Sequence, residues 1–424
     1  MNVRRAALLL VTALAAAPPL QADETFDAGA YDKKTFELTG FVELRPEYQW
    51  LRRDSAGYLL QFPGQARSAM TRSSEALEVS GVWRRESLAL RFTGHAGWQD
   101  DARGSESDAR MYETYLGWQA SERANFELGK RALRWGKGYA WSPVAFLERA
   151  KDPADPELAR EGFVMATAGW VRSFDGPLRT VAVNAALVPT TSGLNEDFGP
   201  SGHLNPAIKL YALAFDTDVD LVWAARGSRG PRFGVDFSRN LGSNLEVHGE
   251  WARTSDAPQA LLGAGNVLAT ATRSTTSALL GLRYLTQRET TIILELYRNG
   301  GGYTEGELTQ FFRLARAAAA QPALLPSAQR AAAAGYTRPN AARHYAYLRV
   351  SQKEPFDILD FTPAVSLIAN TTDRSYTFIP EVLYTGVRNL ELRGRLAFNR
   401  GNAWTEYGER PVRSRFELRA RYFF

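Results

Sequence analysis

Cysteine is absent from the 424 residues, and histidine occurs only four times. The first absence excludes disulfide scaffolds, iron–sulfur clusters, cysteine-bound zinc and thiol catalysis. The second leaves little for a histidine-built metal centre, so neither a metal nor a cofactor is expected. No long apolar run follows residue 20, and the mean hydropathy is −0.31, which argues against a bundle of membrane helices. Lysine is scarce too: it supplies seven of the 51 basic residues, and arginine the rest. Arginine keeps its charge under all conditions and grips carboxylates and phosphates bidentately. The formal net charge is only +5, and no nucleic-acid partner is expected. Aromatic residues, by contrast, are plentiful (10 Trp, 17 Tyr, 22 Phe), far more than a disordered chain carries.

Residues 1–22 read as a cleaved export signal. Arg4 and Arg5 open it, Ala6 to Ala17 is its apolar core, and cleavage is expected after Ala22. That core is too short to anchor a bilayer. Residues 23–35 then form a short N-terminal segment, and 36–424 read as strand after strand of period-two alternation. In Asn389 to Arg400, Leu390, Leu392, Gly394, Leu396 and Phe398 alternate with Glu391, Arg393, Arg395, Ala397 and Asn399. The same pattern runs through Leu77/Val79/Gly81/Trp83 and Leu245/Val247/Gly249/Trp251. These runs are about ten to thirteen residues long, the length a tilted strand needs to cross a bilayer rather than the five or six of a soluble sandwich.

Eighteen such segments can be placed, centred near 43, 79, 92, 114, 128, 169, 184, 211, 223, 235, 249, 280, 295, 347, 362, 380, 394 and 418. Sixteen is the alternative count. The connections alternate in length. Short turns near 85, 121, 176, 217, 243, 288, 354 and 388 lie between longer connections at 52–72, 100–107, 131–162, 190–205, 255–272, 302–341 and 401–412, with two short exceptions near 228 and 372. The expected fold is an all-β, antiparallel up-and-down barrel that spans a membrane, with long loops on one side and short turns on the other.

The last strand carries the resemblance that places the class. Phe416, Leu418, Ala420, Tyr422 and Phe424 alternate, and the final residue is aromatic. This resembles the terminal strand of bacterial outer-membrane β-barrels, over residues 36–424. The resemblance implies an outer-membrane location in a Gram-negative envelope. It also implies contact with membrane lipid and lipopolysaccharide, and assembly through Phe416, Leu418, Tyr422 and Phe424. Within that class the layout is similar to the eighteen-stranded channels, which include alginate-export-like and substrate-specific porins. The stretch from Gly129 to Gly138 is similar to a strand-to-loop segment of the alginate-export-like barrels, departing from it at Ala132.

If the apolar set faces lipid, the alternate set lines the lumen. On the last two strands that set is Arg393, Arg395, Arg413, Arg415, Arg419 and Arg421, with Glu391 and Glu417 between them. The first strand, which closes the ring against the last, offers Glu37, Glu43, Arg45 and Glu47. Two readings stand: a basic wall that draws anions into a water-filled pore, or a ladder of cross-strand ion pairs at the seam. The connection 131–162 is long, aromatic and stiffened by Pro143, Pro153 and Pro156. It reads as a constriction loop, with Trp135, Lys137, Tyr139, Trp141, Glu148, Arg149 and Lys151 near the passage, or else as a cover on the rim. Glu305 to Ala334 reads as one or two short helices interrupted by Pro322 and Pro326.

The expected function is a channel, porin or exporter, for small anionic or sugar-like solutes, including oligosaccharides. The alternative is a loop-plugged envelope barrel with an assembly, adhesion or lipid-hydrolase-like role. Catalysis has little support. His95 and His248 fall on the lumen-facing parity, but no Gly-x-Ser-x-Gly elbow or His-Glu-x-x-His motif accompanies them.

Overall fold

A computed structural model describes residues 34–424; the export signal lies outside the described residues. Eighteen strands follow one another in the chain. They are β1 (Phe36–Leu51), β2 (Ala69–Arg85), β3 (Leu88–Asp101), β4 (Gly104–Gln119), β5 (Ala124–Arg131), β6 (Phe163–Ser173), β7 (Leu178–Thr190), β8 (His203–Ala214) and β9 (Thr217–Ala224). They continue as β10 (Arg232–Asn240), β11 (Leu245–Leu262), β12 (Leu268–Leu285), β13 (Thr290–Arg298), β14 (His344–Gln352), β15 (Phe361–Asn370), β16 (Ser375–Val387), β17 (Leu390–Arg400) and β18 (Val412–Phe423). Each pairs antiparallel with the next, and β18 returns to β1, so the sheet is a closed up-and-down barrel. Every expected segment centre falls inside its own strand. Carried round the ring, the register returns to β1 displaced by about 22 residues, which sets a strand tilt of about 40°.

Burial is inverted relative to a soluble protein. On β1 the buried positions are Glu43, Glu47, Gln49 and the terminal Leu51, while Leu44, Tyr48 and Trp50 point outward and are exposed. On β18, Glu417 and Arg419 are buried and Phe416, Leu418 and Tyr422 face out. Period-two alternation thus places charge inside and hydrocarbon outside, the arrangement that burial in lipid requires. Outward aromatics cluster toward both ends of the wall: Trp83, Trp118 and Phe126 at the short-turn end, and Trp50, Trp223 and Tyr376 at the end that carries the long loops. The terminal Phe424 exchanges both backbone hydrogen bonds with Gly40, each 3.0 Å. Its ring covers the α-hydrogen face of that glycine, where a Cβ would sit 2.6 Å from the ring.

Three of the expected long connections are shorter than their polarity suggests. β3 and β4 meet across Ala102-Arg103 alone, with the Asp101 carboxylate accepting the Arg103 N–H at 2.8 Å and Gly104 at φ 137°. Between 255 and 272 the chain stays largely extended. β11 and β12 continue as a two-stranded ribbon past a bulge between Thr254 and Ala257, joined only at 263–267. In the first long connection β2 begins at Ala69, before the expected boundary of 72. In each case backbone pairing continues beyond the apolar belt, where both faces tolerate polar side chains and the alternation that marks a strand fades.

The ribbon has something to lean on. The connection between β13 and β14 holds two α-helices. The Thr304 capping box with Glu307 starts Glu305–Ala320, and Pro322 ends it; Leu325–Ala331 follows. Leu262 donates its N–H to the Tyr336 hydroxyl at 3.0 Å, and Arg273 pairs with Glu307 at 3.2 Å. A short helix, Ala56–Gln61, rises from the connection between β1 and β2. One apolar cluster joins Ala56 and Leu60, the helical residues Leu308, Phe311 and Phe312, and inward wall residues including Leu279, Ile293, Tyr347, Ile368 and Ile379. The long-loop end is therefore capped over its β12–β17 side.

Candidate functional site: a loop strut across the barrel

After Arg131 the chain leaves the wall and crosses the lumen before rejoining it at Phe163. A backbone inside a barrel must find partners for its N–H groups, and two wall glutamates supply them. Glu250 on β11 accepts from Lys137 (2.7 Å), Gly138 (2.6 Å) and Val144 (3.0 Å). Glu295 on β13 accepts from Ala140 (2.8 Å), from Tyr139, and from the His248 ring at 2.9 Å. Both carboxylates are buried, and five backbone N–H groups satisfy charges that would otherwise be costly to keep in the wall. The turn is tight enough that a Cβ on Gly138 would lie 2.0 Å from the Trp141 carbonyl oxygen. Gly138→Ala is therefore expected to dislodge the strut while leaving the barrel assembled. Limited proteolysis of the folded protein should then cut at Arg149 or Lys151, sites that resist in the parent.

Each residue assigned to the constriction has a definite place. Trp135 packs with Val144, Phe146 and Leu147 in an apolar cluster against Val188 and Val222 of the wall. Trp141 stacks on Tyr297, with ring centroids 5.0 Å apart. The Lys137 amine pairs with Asp220 at 3.2 Å; burial works against its charge, but Asp220 outweighs it and holds the amine above the usual lysine range. Lys151 donates to the Gly138 carbonyl, and its burial pushes the amine down. Glu148 accepts the Trp135 N–H and pairs with Arg160 at 3.3 Å, with burial pushing its carboxyl up. Arg149 reaches Asp197 and Glu161 at the loop base, and the Tyr139 hydroxyl donates to Glu157 at 3.3 Å.

These groups brace the strut. Its tip does something else. Asp155, carried between Pro153 and Pro156, spans to the seam wall and pairs with Arg419 at 2.6 Å and with Arg393 and Arg395 at 3.7 Å. Burial alone would raise the Asp155 carboxyl, but Arg419 and Arg395 outweigh it and hold it below the usual carboxylate range.

The six seam arginines divide accordingly. Arg395 is buried and bonds the Glu381 carboxylate through Nε (3.0 Å) and Nη2 (2.9 Å). Arg421 pairs with Glu43 at 2.6 Å, and Arg415 with Glu417 and Glu47 at 3.5 and 3.8 Å. Arg413 is exposed at the long-loop end. Glu381 and Asp155, which the strand parity of the last two strands could not reveal, match most of the arginine surplus.

Beside the strut lies a cavity of about 820 Å³, lined by Arg393, Arg419 and Arg421 on β17–β18, by Glu75, Glu78, His95 and Asp108 on β2–β4, and by Asp155, Glu157, Leu158 and Ala159 of the strut. Its lining holds eight carboxylates and five arginines, so it is not a basic ring but a mixed surface, with acids most numerous on β2–β4 and three of the arginines on β17–β18. On the other side of the tip, Asp152, Pro153 and Ala154 line a second cavity of about 280 Å³ that includes Arg72, Arg103, Arg410 and Arg415. The tip of the strut separates the two. Among the described residues no cluster of His, Asp and Glu has the spacing to hold a metal ion.

The fold and the site together define a closed eighteen-stranded barrel with an apolar belt and a strut across its charged interior. No protein-family profile and no curated protein matches the chain. Solved structures align with it in outline. A doubly substituted porin of Rhodopseudomonas blastica is 9% identical over 92% of this chain and 100% of its own, with a TM-score of 0.45. A triply substituted form of that porin is 10% identical with the same coverage, at a TM-score of 0.44. A structure described as "Asymmetric conductivity of engineered proteins" is 9% identical, again over 92% and 100%, at 0.43. The architecture of this chain rests on its own strand pairing.

Proposed function

We propose that this chain is a diffusion channel of the bacterial outer membrane. The observation that carries the reading is the 820 Å³ charged cavity enclosed by a ring whose outer surface is apolar. A barrel of 16–18 strands is wide enough for water, and a charged interior is useful to a barrel chiefly when it is hydrated. The long loops face outward from the cell and the short turns face the periplasm. The aromatic end of β18 serves as the assembly signal, and lipid and lipopolysaccharide cover the belt.

The solutes are small and anionic or sugar-like, in the manner of the alginate-export-like and substrate-specific porins. Arg393, Arg419 and Arg421 guide them along one wall, while the nearby carboxylates on β2–β4 keep the passage from binding anions too tightly to release them. The apolar cluster under the helical cap favours the second reading, a barrel plugged by its own loops. Planar bilayers separate the two. Purified, heat-modifiable protein should give discrete conductance steps, with a reversal potential in a salt gradient that reports the preferred sign. Folded barrels that insert and pass no current would establish the plugged reading.

A further inference from the structure

Three guanidinium groups from two strands converge on one carboxylate that belongs to neither. The other acids of the seam belong to the wall: Glu43 pairs with Arg421 and more distantly with Arg419, Glu381 with Arg349 and Arg395, Glu417 with Arg419 (3.3 Å), Arg415 and Arg395, and Glu391 with Arg393. Asp155 differs because its backbone belongs to the strut, so it alone can withdraw without breaking a strand pairing. The rest of the strut does not depend on it. Its first half is held by Glu250 and Glu295, and its return is held by the Gly162 N–H on the Tyr112 carbonyl at 2.9 Å.

Asp155 also leaves donors unused. The Nε groups of Arg393 and Arg419 are buried and have no hydrogen-bond partner. Both side chains border the 820 Å³ cavity, so a small solute can approach their guanidinium groups, behind which the Nε atoms lie buried. An aspartate side chain is chemically an acetate group, and arginine recognises any carboxylate in the same planar, charge-assisted way.

We propose that Arg393 and Arg419 form a binding site for the carboxylate of a solute, and that Asp155 occupies it as a built-in competitor. A passing carboxylate displaces Asp155, takes over its place beside the arginines and opens the way past the tip; when the solute leaves, Asp155 returns. The strut then acts as a latch that the solute itself releases. This inference rests on the channel reading for its purpose, but the site can be tested without it.

The probes are propionate and propionamide, nearly identical in shape and different in charge, titrated calorimetrically into the folded barrel in detergent. Asp155→Asn removes the competing charge and should tighten propionate binding by about tenfold or more, with propionamide unmoved. Adding Arg393→Gln to that variant should abolish the gain. Asp155→Ser makes the same comparison should the asparagine variant fail to fold. Equal propionate affinity with and without the Asp155 carboxylate, or an equal response to propionamide, overturns the proposal. Bilayer conductance is read separately. Binding as expected in a barrel that passes no current leaves the site standing and removes the channel reading. Conductance without any gain in binding does the reverse.

Discussion

Excising Ala145–Pro156 and rejoining the chain should raise single-channel conductance about twofold or more, because the lumen of a barrel this size is wide unless something crosses it. The excision leaves Lys137, Gly138, Tyr139, Ala140 and Val144 in place. Glu250 and Glu295 therefore keep their backbone donors, and no buried wall carboxylate is stranded. It removes Asp155 and with it the partition between the two cavities. All backbone bonds of the wall run between strands, so the barrel should still assemble. Phe146 and Leu147 leave the cluster beside Val188 and Val222, which costs packing on one side of the strut. Single-channel recording in planar bilayers provides the check. Unchanged conductance would place the resistance at the cap built on Glu305–Ala320 and Leu325–Ala331, and deletion within that cap becomes the next step.

Arg395→Ala should lower stability by on the order of 3 kcal/mol while changing selectivity little. Arg395 and its main partner Glu381 are each only 4% exposed at the side chain. Removing one member of a buried pair leaves the other charged in a poorly solvated place, and that loss dominates. Glu381 keeps Arg349 at 2.5 Å, which tempers the effect, but Asp155 and Glu417 also lose a neighbour. The measurement is the temperature at which the barrel loses its folded mobility on unheated gels. Arg413→Ala, at an exposed position, should change that temperature negligibly. Neutralising Arg393 and Arg421 together should instead move the reversal potential away from anions, since both border the cavity. That shift should fade toward 1 M salt, where the screening length falls to about 3 Å. A large selectivity change from Arg395→Ala with no loss of stability would overturn this division of roles.

The seam arginines show where strand parity stops being informative. Alternation correctly places Arg393, Arg395, Arg419 and Arg421 inside, because in an extended strand each residue's side is dictated by its neighbour's. It says nothing of what each one meets. Glu381 sits on β16, and its bond to Arg395 needs the β16–β17 register, in which Glu381 stands directly across from Arg395. Asp155 is 264 residues from Arg419 in the chain, and only the closed ring brings them together. In the sequence Glu250 stands two residues from His248 and carries no other mark. That it would receive three N–H groups of the strut leaves no trace in composition or spacing, since a backbone donor looks the same in every residue.

The sequence by itself therefore determined the barrel: eighteen amphipathic strands, their inward and outward faces, the aromatic closing strand, and the interruption at 131–162. Those features follow from local rules, because period-two alternation and aromatic placement act within one strand and its immediate surroundings. The tertiary structure alone decided the interior. Ring closure gathers distant strands around one interior, where the buried carboxylates of β11 and β13 bind the strut and the arginines of β17 and β18 receive its tip. Such contacts join residues a hundred or more positions apart, through charges and backbone donors whose partners are chosen by proximity in space.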